Sequence, residues 1–165
     1  MMKSFFAVSL SWLFLFFIGC SLPQSVPASP YSLPAYIPAT DRAEASSIVV
    51  VADVVTSSSR NLNQTIDSAV VVLEVKKILK SPDGLDIPQR LNLQFALYPG
   101  SFEARMRTPP EPGRYFVFLN VEKAEKKDGK SLFLFRLYEP NPFAFDLWSA
   151  DDEEQLIDFI SKEPL

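Results

Sequence analysis

The residues of this chain leave it little catalytic chemistry. There is no histidine, so the commonest general base near neutral pH is missing, and with it every Ser-His-Asp or Cys-His arrangement. The single cysteine, Cys20, can form neither an internal disulfide nor the usual Cys/His zinc site. Five glycines, Gly19, Gly84, Gly100, Gly113 and Gly129, are too scattered to cradle a phosphate. Carboxylate and lysine chemistry remains. Asp151-Asp152-Glu153-Glu154 offers oxygens of the kind Ca²⁺ takes, without the spaced ligands and glycine of an EF-hand loop, and reads as a solvated helix start. Lys123, Lys126, Lys127 and Lys130 surround Asp128-Gly129 and could meet anionic headgroups at about 1 kcal/mol per charge. Glu122, Glu125 and Asp128 offset them, which favours a solvated hairpin tip. Phe143, Phe145 and Trp148 read as core aromatics rather than as a binding patch. No residue is assigned a catalytic role, and no cofactor or metal is expected.

Cys20 takes its meaning from its flanks. Lys3 is the one charge before an apolar run from Phe5 to Ile18, a basic region followed by a hydrophobic one, as in an export signal. The run falls short of the roughly 20 residues that span a bilayer. Pro23 and Pro27 follow closely, so cleavage is expected rather than a transmembrane anchor. Phe17-Ile18-Gly19-Cys20 resembles the lipobox of bacterial lipoproteins, with Phe17 where leucine is usual. That resemblance implies that Phe17, Ile18 and Gly19 form the signal-peptidase recognition site and that residues 1–19 are the cleaved signal. It also implies that the Cys20 thiol carries diacylglycerol through a thioether, with acylation of the new α-amine. Two or more chains, at about 0.8 kcal/mol per buried CH₂, anchor a protein stably. Ser21, rather than aspartate, follows the cysteine, and by the sorting rule of many such lipoproteins the resemblance then implies the outer membrane of a bacterial envelope.

Residues 20–44 read as the lipidated cysteine and a proline-rich spacer. Pro23, Pro27, Pro30, Pro34 and Pro38 recur every three or four residues, and no charge appears between Cys20 and Asp41. Proline favours extended polyproline II, a semi-rigid rod of about 3 Å per residue. A proline-rich recognition ligand is the competing reading, but the basic flank often found beside such ligands is missing here.

Residues 45–165 read as one mainly β domain. Ser47–Val55 is a β-branched run that fits a strand covered on both faces, followed by a polar loop over Ser57–Gln64. In Ala69–Leu79, one face takes Ala69, Val71, Leu73 and Val75. Arg90–Leu97 alternates, with Leu91, Leu93, Phe95 and Leu97 inward and Asn92 and Gln94 outward, the signature of an antiparallel strand. Arg114–Leu119 and Ser131–Tyr138 flank the Asp128-Gly129 turn signal, and Phe143, Phe145 and Leu147 suggest a short sixth strand. A C-terminal helix is expected, capped by Ser149 or Asp151 and carrying an apolar stripe of Leu156, Ile157, Phe159 and Ile160.

Two of these segments carry a further likeness. Val71–Ser81 (VVLEVKKILKS) and Pro112–Leu119 (PGRYFVFL) are similar to strand motifs of netrin-like and tissue-metalloproteinase-inhibitor-like OB domains. Ser81 stands where those domains have glycine, and their stapling cysteines are missing. The resemblance implies a small antiparallel OB-like barrel of about five strands with a C-terminal α-helix. It does not imply metalloproteinase inhibition. That mode uses a free N-terminal cysteine, and Cys20 would be acylated and held off the barrel by the spacer.

The expected function is that of a lipid-anchored envelope protein, a non-catalytic binding or structural module. Its partners would be the membrane, through the N-terminal lipid, and an envelope protein or glycan. The alternative is an envelope hydrolase using acidic residues, two carboxylates converging in a cleft. A net charge of −4 and a pI near 4.9 oppose nucleic-acid binding, which needs a basic groove. The first test is the intact mass of protein purified from its native envelope. The wild type should begin at Cys20 and carry acyl mass, and Cys20→Ala should lose both the mass and membrane retention.

Overall fold

The computed structural model describes residues 36–100, 105–125 and 131–162. The expectations for Phe17, Ile18, Gly19, Cys20, most of the spacer and the Asp128-Gly129 turn lie outside them. The chain runs α1 (Ala39–Ala45), β1 (Ile48–Asn61), β2 (Asp67–Lys80), β3 (Arg90–Leu97), β4 (Gly113–Glu125), β5 (Ser131–Leu137), a 3-10 turn (Asn141–Phe143), β6 (Phe145–Leu147) and α2 (Ala150–Lys162). All six strands belong to one antiparallel sheet, in the order β3-β2-β1-β4-β5, with β6 on β4. A mainly β domain with a C-terminal helix is therefore what forms.

β1 is the centre of the sheet. It pairs with β2 from Val49 to Asn61 and with β4 from Ile48 to Val54. Its register against β2 shifts at Val49/Val50, Val51/Ala52 and Val54/Thr56, and such irregularities bend a strand and increase its twist. One face carries Ile48, Val50, Ala52 and Val54 into a cluster with Val71, Leu73, Leu93, Val117 and Leu119. The other carries Val49 and Val51 beside Phe116 and Phe118, under Ala43 of α1 and Leu156 of α2. Ile48 to Ala52 are at most 3% exposed, as expected for a run without polar alternation.

The alternation of Ala69, Val71 and Leu73 and of Leu91, Leu93 and Leu97 is realised as buried faces, with Asn92 and Gln94 exposed. The outer edge of β4 is used along its length. β6 pairs with Tyr115–Val117, the Phe118 N–H donates to the Ala144 carbonyl (2.9 Å), and β5 continues from Leu119.

Three features differ from the expectations. First, the barrel is not closed: among the described residues no backbone pairing joins β3 to β5. Polar side chains and a cleft lie between them, so the ladder that would close the cylinder is not formed. Second, Ser57–Asn61, expected as loop, continues β1. Pairing with β2 supplies its backbone partners whatever the polarity of its exposed side chains. Asn63 then makes the turn, its Oδ1 accepting from the N–H groups of Thr65 and Ile66 (2.9 Å each).

Third, the tail of the segment read as spacer is helical. α1 is fastened by Arg42, which is 2% exposed. Its guanidinium donates to the Phe143 carbonyl (3.0 Å), pairs with Asp146 and lies 4.6 Å from the centroid of the Phe118 ring. Lys80 donates to the Ala43 carbonyl (2.7 Å) at the end of α1, where a cation suits the helix dipole. At the other end of the chain, Ser149 caps α2. Its Oγ accepts from the Asp152 N–H (3.1 Å) and donates to that residue's carboxylate (2.5 Å).

Breaking one side of a buried ion pair costs roughly 3–5 kcal/mol because the other charge is stranded. Asp146 is partly exposed, so Asp146→Ala should cost less, about 2 kcal/mol, read as a lower urea midpoint with unchanged slope.

Candidate functional site

A cleft of about 860 Å³, within the range of ligand sites, lies between β3 and β5. Two strands and one loop set its walls. Gln94, Phe95 and Ala96 come from β3, and Leu134, Phe135 and Arg136 from β5. Tyr98, Arg105 and Met106 form one end, held by the Tyr98 N–H donating to the Met106 carbonyl (2.9 Å). Asn120 and Glu122 of β4 form the floor, and Glu139 and Asn141 complete the rim.

The polar side chains of this cleft are engaged with neighbours. Arg136 pairs with Glu122 at 3.0 Å. Gln94 donates to Ser68 Oγ (3.1 Å), and Asn120 Oδ1 accepts from the Ser47 N–H (3.1 Å). The Arg105 guanidinium stacks 4.5 Å from the Tyr98 ring centroid. The Asn141 amide nitrogen, in the orientation that satisfies it, lies 2.9 Å from Glu139 Oε1 and 3.2 Å from the Tyr138 carbonyl. The cleft thus offers an incoming molecule its apolar walls and the outer edges of β3 and β5, whose backbone groups have no partner among the described residues.

A second polar cluster lies outside the cleft and links β1, β2, β4 and α2. Asp53 accepts two hydrogen bonds from Arg114 (2.7 and 3.2 Å) and lies 3.4 Å from Lys76. The bonds from Arg114, helped by Lys76, hold the Asp53 carboxyl below its ordinary 3.8 against the opposing effect of burial. Glu153 accepts from Lys77 (2.7 Å) and from Trp148 Nε1 (2.6 Å), and these bonds hold it below 4.5. Both shifts run opposite to what a general acid requires.

The acidic run expected to start the helix does so, with Asp152 in the cap and Glu153 in this cluster. Among the described residues no group of three or more His, Cys, Asp or Glu side chains is placed to hold a metal ion. Phe145 packs in the interior, edge-on to Tyr115 with centroids 6.0 Å apart, and Trp148 packs against the outer cluster, so both serve the core. Lys123 is exposed, and the other three lysines of its group lie outside the described residues.

Sequence reading missed the cleft itself, because its walls come from strands far apart in the chain. The one available signal was the pair of apolar-alternating segments that end the strand order. Comparison with known family models finds no match, and neither does comparison with curated proteins.

The two lowered carboxyls make a pH prediction. A depressed folded-state pKa contributes stability that is present above the unfolded value and lost as pH falls through the folded one. Stability should therefore fall below about pH 4.5 as Glu153 and Asp53 protonate. The Asp53→Asn/Glu153→Gln double variant should be less stable at neutral pH and lose less on acidification. Trp148 emission should shift with Glu153 protonation in the wild type and stay flat in the variant; beyond residue 19 Trp148 is the only tryptophan, so the signal is specific.

Proposed function

We propose that this is a lipid-anchored bacterial envelope protein, a non-catalytic binding module tethered through Cys20, with the β3–β5 cleft as its contact surface. The observation that carries the binding reading is the cleft: a concavity of ligand size between two strand edges, with its polar side chains engaged by neighbouring groups. The lipobox-like Phe17-Ile18-Gly19-Cys20, the proline spacer and Ser21 support tethering at the outer membrane, with an envelope protein or glycan within reach. The strand order supports the netrin-like resemblance, since it is that of a five-stranded barrel opened along one seam. A hydrolase using acidic residues would need a carboxylate with a raised pKa in this cleft. Among the described residues the carboxylates held below their ordinary range, Asp53 and Glu153, lie outside the cleft.

The test is photocrosslinking in intact envelopes. A benzophenone side chain at Gln94, in the cleft, should give a discrete crosslinked product. The same group at Ile157 on α2, also solvent-facing, should not. Equal labelling at both positions would remove the cleft from the proposal.

A further inference from the structure

We propose that the β3–β5 cleft takes an extended, uncharged segment of a partner polypeptide, which adds as a strand to the outer edge of β5. This rests on the cleft being the contact surface and names its occupant.

The first argument is what the cleft has left to offer. Gln94, Asn120, Glu122, Arg136 and Glu139 are engaged with protein groups. A sugar is recognised through polar side chains that are available to its hydroxyls. A strand is recognised through main-chain N–H and C=O groups, and on the outer edges of β3 and β5 those groups have no backbone partner among the described residues.

The second argument is the character of β5. Natural sheets blunt their exposed edges with lysine, proline, bulges or short strands. From Phe133 to Leu137, β5 has no proline and no lysine, and its register against β4 is unbroken from Leu119↔Leu137 onward. Its one charge, Arg136, is paired with Glu122. Phe133 and Leu134 are 41% and 40% exposed, so both faces of the strand present apolar surface beside the open edge. β3, by contrast, exposes Arg90, Asn92 and Gln94. β5 is therefore the edge suited to pairing.

The third argument is charge. Arg105 and Arg136 balance Glu122 and Glu139 around the cleft, so it selects neither an acidic nor a basic segment. Main-chain pairing gives affinity, and alternate side chains of the guest meet the wall of Phe95, Leu134 and Phe135. The chain's own residues 21–38 are uncharged but carry proline every three or four residues. Proline lacks the N–H that pairing requires.

The test is selection of random dodecapeptides displayed on phage against the full mature chain in detergent. Enriched peptides should be uncharged and alternate apolar with polar residues. A synthetic copy should bind about tenfold or more weakly once its alternate backbone nitrogens on the paired side are methylated, since each lost hydrogen bond weakens binding while the side chains stay. Leu134→Lys should weaken the unmodified peptide by a similar factor, with far-UV circular dichroism and Tm unchanged. Leu147→Lys, at a residue 71% exposed on β6, should leave binding as it was.

No enrichment, or equal binding after methylation, overturns the strand-addition proposal. Binding of maltohexaose that Leu134→Lys abolishes, with no peptide bound, makes the occupant a glycan and leaves the cleft as the contact surface. A dimer that forms without peptide and is lost in Leu134→Lys gives the edge to a second copy and overturns the proposal. Only equal crosslinking from Gln94 and Ile157 removes the cleft itself.

Discussion

The first half of β1 has no face that can meet water. Ile48 to Ala52 point apolar side chains to both sides of the sheet, and each side must be covered before the strand is stable. The inner side is covered by the sheet's own curvature, with β2, β3 and β4 carrying Leu73, Leu93 and Leu119 into one cluster. The outer side is beyond the reach of that curvature. It is covered by α1 and α2, one from each end of the described chain, which bring Ala43 and Leu156 over Val49, Val51 and Phe118. The bulges in β1 and both helices are answers to that single requirement.

Arg42 shows how the two ends are held. A guanidinium at 2% exposure has lost most of its hydration and must recover it from protein groups. It does so through the Phe143 carbonyl, the Asp146 carboxylate and the face of Phe118. All three partners lie more than 70 residues downstream. α1 is too short to be stable as an isolated helix. It forms because this contact and the lysine at its C-terminal end fix it to the finished sheet.

The cleft is the other consequence of a sheet that curls without closing. Where β3 and β5 would have exchanged a ladder of hydrogen bonds, the polar side chains on either side pair within their own neighbourhoods instead. That leaves the site electrostatically quiet, with main-chain edges as its open valences.

The chain by itself determined the pattern of strands. Period-two alternation in Ala69–Val75 and Arg90–Leu97, the apolar run at Ile48, and Ser149 before an acidic turn are local signals. Each acts within a few residues, so the mainly β domain and its C-terminal helix were legible from them. The tertiary structure alone decided the rest. α1 and the burial of Arg42 depend on Asp146 and Phe118. The extension of β1 through Ser57–Asn61 depends on β2 supplying its hydrogen bonds. The open seam and its cleft depend on how far the bent sheet turns. Side-chain type records which face of an element wants water; it does not record which distant residue will stand opposite it, and those pairings build the cleft and the clasp of α1.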